Sequence, residues 1–228
     1  TYYSSACEVE FCGHGTIATM FDMIASTPAL RQRPCVAFET NRKGVLTVYN
    51  RIESENAIYI TAPEQKQLPM PITAEKAADI LGIDPAVIDS CYPLDYIEAG
   101  LRTMIVPVRS VKDEISIWPD EAALRVFNDR YGIEDFLIFS METADGDYFA
   151  HTRVFAPKFG YLEDPATGSA NSAFARYLLK HELWDGAPIC LEQGGEDRIF
   201  NTVKITQEDG QILFGGCASV KIAGEYYL

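Results

Sequence analysis

Two segments of the chain have the hydrophobic spacing of a buried helix, and each opens with glycine and small hydroxyl residues. In the first, which opens with residues 10–16, apolar residues recur at i, i+4 and i+7: Ile17, Phe21 and Ile24. In the second, which opens with residues 164–169, they recur at i, i+4 and i+8: Ala170, Phe174 and Leu178. Such spacing places the apolar residues on one face of a helix. The pattern therefore predicts two apolar-faced helices, one in each half of the chain.

Short β-rich segments make up most of the remaining pattern. They alternate or carry β-branched residues, and they cover residues 36–39, 45–51, 57–61, 92–100, 104–108, 136–141, 148–155, 189–192, 202–206, 212–214 and 219–222. Residues 41–44 predict a hairpin turn. Two further helices are predicted over 74–81, with Thr73 as the cap, and over 119–131, and each ends before a glycine. A boundary between residues 90 and 100 would give two α+β units.

The charge of the chain excludes some classes of function. The 228 residues include 33 acidic and 19 basic side chains, a formal net charge of −14, which repels phosphate backbones and anionic lipid. We therefore expect no nucleic-acid partner and no membrane partner. No apolar stretch approaches the roughly 18 residues that a membrane span needs. The six cysteines contain no Cys-x-x-Cys pair, so neither a disulfide framework nor a zinc site is expected, and the chain reads as a reduced, cytoplasmic protein.

The two helix starts carry the candidate chemistry. A helix start leaves backbone N–H groups unpaired and carries the positive end of the helix dipole, so it binds carboxylate or phosphate without Lys or Arg. Gly13, Gly168 and Ser169 would supply N–H donors to such an anion cradle. His14 could move a proton or orient a substrate carboxylate, or be a core histidine bonded to backbone. Asp164 could be a proton carrier with a tuned pKa, or only a helix cap.

Residues 10–18, Glu-Phe-Cys-Gly-His-Gly-Thr-Ile-Ala, resemble the first signature of the PhzF family of phenazine-biosynthesis-like isomerases. Residues 153–170 resemble its second signature, an Arg-x-Phe-x-Pro strand followed by Glu-Asp-Pro-Ala-Thr-Gly-Ser-Ala. Gln193-Gly194 and Gly215-Gly216 lie where the family keeps a Gln-Gly turn and a late Gly-Gly strand. The resemblance therefore runs from about residue 2 to the C-terminus.

The resemblance implies the α+β fold of the diaminopimelate-epimerase-like proteins. Its two pseudo-symmetric domains, here 1–93 and 94–228, are each a barrel-like, mostly antiparallel sheet around a central helix, with the site in the cleft between them. It also implies a homodimer without cofactor or metal. The implied activity is isomerisation or epimerisation of a small carboxylate-bearing metabolite by proton abstraction and return. His14 and Asp164 would handle the proton, and Cys12, Gly13, Gly168 and Ser169 would bind the substrate.

One departure from the family leaves alternatives open. Family members carry several dozen more residues ahead of the Cys-Gly-His block, including an acid/base Glu. Here Thr1 is not an initiator methionine, and only eleven residues precede Cys12. We therefore expect either that an N-terminal segment is missing or that the chain is a weakly active or inactive small-molecule-binding relative.

Cys12 supports a further alternative. The racemases of this superfamily use two cysteines, one on each side of a substrate carbon, and Cys12 stands at the first position. Asp164-Pro165-Ala166 stands where the second would fall, which disfavours a two-thiol racemase. A free cysteine is also commonly a small buried hydrophobe. A proline-racemase-like enzyme that works through Cys12 remains the third hypothesis.

Overall fold

A computed structural model describes residues 1–3, 8–9, 11–195 and 200–225 of the chain. The helices are α1 (Gly13–Ser26), α2 (Pro28–Arg31), α3 (Ile52–Glu55), α4 (Ala74–Leu81), α5 (Val111–Ser116), α6 (Glu121–Tyr131) and α7 (Gly168–Lys180). The strands are β1 (Tyr2–Tyr3), β2 (Glu8–Val9), β3 (Cys35–Thr40), β4 (Gly44–Arg51), β5 (Ala57–Thr61), β6 (Lys66–Gln67), β7 (Asp95–Glu98), β8 (Arg102–Pro107), β9 (Asp135–Ser140), β10 (Ala150–Phe155), β11 (Glu163–Asp164), β12 (Ile189–Gln193), β13 (Asn201–Glu208) and β14 (Gln211–Gly216).

One large sheet runs through both halves of the chain. Its strand order in the described residues is β3-β4-β5-β14-β13-β12-β10-β9-β8-β7-β6, and β11 pairs with β10. The pairs β8–β9 and β10–β12 are parallel, whereas the others are antiparallel. The pairing of Phe214 with Ile60 joins the first half of the chain to the last strand. The protein is therefore a mixed α+β fold with a mostly antiparallel sheet.

Helix α7 lies against the concave side of this sheet. It contacts β13 and β14 on one side and β7, β8 and β9 on the other, so the sheet curls around it. The residues of its predicted apolar face are fully buried: Ala170, Phe174 and Leu178. The ring centroids of Phe174 and Phe139 on β9 are 4.6 Å apart. Helix α1 contacts β5, α2 and α7, and its Ile24 belongs to the same apolar core.

A second apolar core covers the other face of the sheet. Leu81 of α4 and Leu124 of α6 pack there with Phe136 and Phe155, all of them buried. Strand residues therefore alternate between two cores, which is why β9 and β10 are buried along their whole length. A pair of pseudo-symmetric barrels, with a boundary after residue 93, stays a prediction.

Local sequence signals predict several elements correctly. The helix predicted over 74–81 is α4, where the Thr73 hydroxyl accepts a hydrogen bond from the Lys76 amide and Gly82 ends the helix at φ +69°. The strand predicted over 57–61 is β5. Residues 41–43 form the predicted turn, and Gly44 follows at φ +67°.

Other boundaries and one strand differ from the prediction. The helix predicted from residue 119 begins at Glu121, because the Asp120 carboxylate accepts a hydrogen bond from the Ala123 amide as its cap. The strand predicted over 92–100 is limited to β7. The strand predicted over 219–222 is wrong: this segment has no regular structure and is exposed. No described strand pairs with this segment, although its residues alternate.

In the part of the chain that the structure describes, no helix has the length and apolar character to cross a membrane.

Candidate active site

The starts of α1 and α7 meet at their first glycines. A Cβ atom at Gly13 would lie 3.7 Å from the Cα of Gly168. The ring of Phe214 packs beside both residues, so that a Cβ at Gly168 would lie only 2.3 Å from its Cε2, and a Cβ at Gly13 3.1 Å from the same atom. Glycine is therefore needed at 168 for this close approach. The contact brings together the two helix starts that the sequence picks out separately.

Both helix starts lack a side-chain cap from the residue before them. The N-cap residues are Cys12 for α1 and Thr167 for α7, and neither side chain accepts a hydrogen bond from its helix. Each start therefore presents the positive end of a helix dipole without a side-chain cap, an arrangement that favours a bound carboxylate or phosphate.

Asp164 lies at this junction and is not a helix cap. Its carboxylate is nearly buried, with a side-chain exposure of 8%. The Thr167 hydroxyl donates to Oδ2 over 2.5 Å, and Oδ1 lies 3.8 Å from Nδ1 of His14. The capping interpretation of Asp164 is therefore wrong for this structure, since the carboxylate faces a hydroxyl and an imidazole instead of the helix amides.

His14 bridges the two halves of the site. Its Nδ1 lies 3.1 Å from the carbonyl oxygen of Ala166. A carbonyl can only accept, so Nδ1 carries a proton. The other ring nitrogen, Nε2, lies 3.5 Å from Sγ of Cys12. The side chain of His14 is 47% exposed, so the core-histidine interpretation does not hold, although the bond to backbone does form.

Contacts within the site shift the pKa values of both partners of this pair. The hydrogen bond with Cys12 raises the pKa of His14 to about 9, against the opposing effect of burial, and the negative charge of Asp164 adds to the rise. Burial raises the pKa of Cys12, but the hydrogen bond and charge of His14 outweigh burial, so the thiol pKa is lowered overall. Both shifts act in the direction of an imidazolium beside a thiolate.

The two carboxylates of β11 point in opposite directions. Glu163 forms a two-point ion pair with the buried guanidinium of Arg153, with distances of 2.9 and 2.7 Å, while Asp164 faces the helix starts. This follows from the alternation of side chains along a strand.

Tyr161 is half-buried nearby: burial raises the pKa of its phenol, and the charges of Asp164 and Cys12 raise it further. Its hydroxyl therefore stays protonated beside the site.

Two buried side-chain amides, those of Gln193 and Asn171, hold the loop before α7. Gln193 is fully buried on β12 and bonds to both Asp164 and Thr167. Asn171 is fully buried on α7 and bonds to Gln193. The signal for Asn171 is a polar residue directly after the apolar position Ala170; for Gln193 the only signal is the resemblance to the family's Gln-Gly turn.

The remaining predicted residues fall in or outside the site as follows. Ser169 is half-buried in the first turn of α7. His151 is buried between the Glu192 carboxylate at 2.9 Å and the Gly194 carbonyl at 2.8 Å, and His181 contacts Asp95, so both lie outside the site. Glu10, part of the first signature, and residues 196–198, which follow the Gln-Gly turn, lie outside the described residues. Among those that are described, no cluster of three or more His, Cys, Asp or Glu side chains could hold a metal ion.

The sequence and the fold both match one family of proteins. Residues 1–224 match the family described as phenazine biosynthesis-like protein, and the chain belongs to this family. The fold is similar to the crystal structure of a PhzF-family phenazine biosynthesis protein from Bacillus anthracis, at a TM-score of 0.76 and 26% identity, over 92% of this chain and 74% of that one.

Relatives with curated names are isomerases. An uncharacterized isomerase of Bacillus subtilis is 26% identical over 98% of this chain and 75% of its own length, and one of Clostridium acetobutylicum is 24% identical over 80% and 60%. The trans-2,3-dihydro-3-hydroxyanthranilate isomerase of Pseudomonas fluorescens is 28% identical over 83% of this chain and 63% of its own length. The matched region thus spans about three fifths to three quarters of these relatives.

Proposed function

We propose that this chain forms the carboxylate-binding and proton-transferring part of a cofactor-independent isomerase that acts on a small carboxylate-bearing metabolite. The observation that carries the proposal is the meeting of Asp164 and His14, from opposite halves of the chain, at the junction of two uncapped helix starts. The isomerase names of the relatives support the same reaction class. The expected homodimer, the cytoplasmic location and the pair of barrels stay part of the proposal.

In the proposed mechanism, backbone amides bind the substrate and side chains transfer its proton. The amides at Gly13, Gly168 and Ser169 hold a substrate carboxylate, because the positive ends of two helices converge there. Asp164 and His14 lie at the edge of this cradle, so they face the carbon next to the bound carboxylate. Asp164 accepts the proton from that carbon, because His14 with its raised pKa already carries both ring protons. Asp164 in its protonated form, or the His14 imidazolium, then returns a proton at another position. A positioned acid/base of this kind contributes about two to four orders of magnitude in rate.

A thiol-based reaction is the second candidate, and the contact of Cys12 with His14 favours it. A thiolate beside an imidazolium is a competent base. The loop from Asp164 to Ala166 offers no second cysteine on the other side of the cradle, so a two-thiol mechanism lacks its partner. The candidates differ in which substitution abolishes turnover: Asp164→Asn for the carboxylate mechanism and Cys12→Ala for the thiol mechanism.

The charge of the ligand tests the cradle. Small mono- and dicarboxylates are expected to raise the melting temperature in a way that grows with ligand concentration over Kd, because they bind only the folded state. The neutral amides of the same molecules should raise it much less, since the helix dipoles attract an anion. Thermal denaturation with a panel of acids and matched amides measures this, and trans-2,3-dihydro-3-hydroxyanthranilate belongs in the panel. Equal stabilisation by acid and amide would exclude the cradle.

A further inference from the structure

The hydrogen bonds around Gln193 fix the orientation of its side-chain amide against the loop that carries Asp164. The Thr167 amide donates to one side-chain atom of Gln193 over 3.0 Å. A backbone N–H can only donate, so this atom is the oxygen, Oε1, and the other must be the amide nitrogen, Nε2. Asn171 also donates to Oε1, over 2.6 Å. The orientation of the Gln193 amide is therefore determined by its partners.

The Gln193 nitrogen in turn orients the Thr167 hydroxyl. Nε2 donates to the carbonyl oxygen of Asp164 over 2.8 Å and to Oγ1 of Thr167 over 3.1 Å. Because Oγ1 accepts from Gln193, its single proton is free to point elsewhere. It points to Oδ2 of Asp164, 2.5 Å away. A chain of donors thus runs from Gln193 through Thr167 to the carboxylate.

This series of hydrogen bonds is buried, and the two oxygens of the Asp164 carboxylate have different partners in it. Gln193 is fully buried, and Thr167 and Asp164 are 6% and 5% exposed, so the hydrogen bonds act at low dielectric, where they are stronger than in water. Oδ2 is occupied by the hydroxyl, whereas Oδ1 is the oxygen that faces His14 at 3.8 Å.

We propose that Thr167, oriented by Gln193, is a positioning residue that holds one oxygen of the Asp164 carboxylate and directs the other oxygen to His14 and to the bound ligand. The inference rests on the proposed function for its catalytic meaning, but its physical content concerns the carboxylate itself. Other ionisable groups also face Asp164: His14 and Cys12 from the α1 side, Tyr161 from the preceding loop and Asp135 from β9. These groups remain when Thr167 or Gln193 is changed.

The test follows the Asp164 carboxyl carbon by NMR in the full-length gene product labelled at the aspartate side chains, with Asp164→Asn to assign the signal. Thr167→Val keeps the shape and removes the hydroxyl. Recorded at one fixed pH, the carboxyl-carbon signal of residue 164 is expected to move away from its wild-type position in this variant, because Oδ2 loses its hydrogen bond. Thr167→Ser should restore the wild-type position. Gln193→Met should move the signal in the same direction by less.

Thr206→Val is the matched control, since Thr206 is also buried and its hydroxyl bonds to the Gly186 carbonyl, away from the site. It should leave the signal of residue 164 unchanged. If Thr167→Val and Gln193→Met both show the wild-type signal, the proposal is overturned, and the Gln193→Met arm decides if Thr167→Val does not fold. The measurement needs no substrate, so a protein that turns over nothing in the panel would contradict the proposed function and leave this inference standing.

Discussion

Replacing Asp164 with asparagine is expected to lower turnover by at least two orders of magnitude while the melting temperature changes by no more than a few degrees. Asparagine has the same shape and still accepts the hydrogen bond from Thr167, so the loop keeps its structure. It lacks the negative charge that faces His14 and that accepts the proton in the proposed mechanism. Loss of a positioned acid/base costs about 10²–10⁴ in rate. Steady-state kinetics and thermal denaturation of the full-length gene product measure both quantities.

Asp120→Asn is the matched control for this substitution. Asp120 caps α6 by accepting from the Ala123 amide, and asparagine caps about as well as aspartate, so its turnover and stability should match the wild type. Cys12→Ala in the same assay separates the two candidate mechanisms, because the carboxylate mechanism predicts that it retains measurable turnover. An Asp164→Asn protein with full turnover would return Asp164 to a structural role.

Replacing Gly168 with alanine is expected to destabilise the protein and to abolish carboxylate binding. The new Cβ would lie 2.3 Å from Cε2 of Phe214, so the buried ring or the helix start must shift. Overpacking of this kind costs about 1–3 kcal/mol in the free energy of unfolding, which lowers the melting temperature of a chain this size by about 2–4 °C per kcal/mol. The direction of the stability change is informative, because Gly→Ala within a helix ordinarily raises the free energy of unfolding by about 1 kcal/mol.

Two other glycines calibrate this effect. Gly146→Ala should be nearly neutral, because a Cβ at Gly146 meets no atom within 4 Å. Gly13→Ala should fall between the two, since its Cβ would lie 3.1 Å from the Phe214 ring. Thermal denaturation with and without a dicarboxylate measures stability and binding together. A Gly168→Ala protein that is as stable as the wild type and still binds the dicarboxylate would contradict the packing at the helix junction.

The parts of the fold that depend on local chemistry could be predicted from the sequence. Helix α4 has its cap and its terminating glycine within ten residues, and both apolar-faced helices show their spacing directly. The hydrophobic pattern does not reveal helix α5, although the sequence carries a capping signal for it. The Ser110 hydroxyl accepts a hydrogen bond from the Asp113 amide, and Ser-x-x-Asp ahead of a helix is a recognisable cap pattern. The false strand at 219–222 shows the opposite error, since alternation alone does not supply a neighbouring strand.

The candidate site could likewise be predicted only where its residues lie in short sequence motifs. The glycine-rich helix starts, His14 and Asp164 are visible in the sequence because each lies in a short motif. The hydrogen bonds of Gln193 are not, because they join β12 to a loop 26 to 29 residues earlier in the chain, and no local pattern encodes that contact. The direction of the Asp164 carboxylate also depends on this tertiary contact, which is why a capping role could not be excluded from the sequence.

Solvent deuterium incorporation tests the central claim, that this site moves a proton on a bound small carboxylate. The full-length gene product is incubated in D2O with each stabilising carboxylate of the panel, and NMR or mass spectrometry follows deuterium at carbon. We expect incorporation at the carbon next to the bound carboxylate or at the position that receives the returned proton, and we expect Asp164→Asn to lose it. Carboxylates that bind at the helix junction and exchange no carbon-bound hydrogen in the wild type would contradict it.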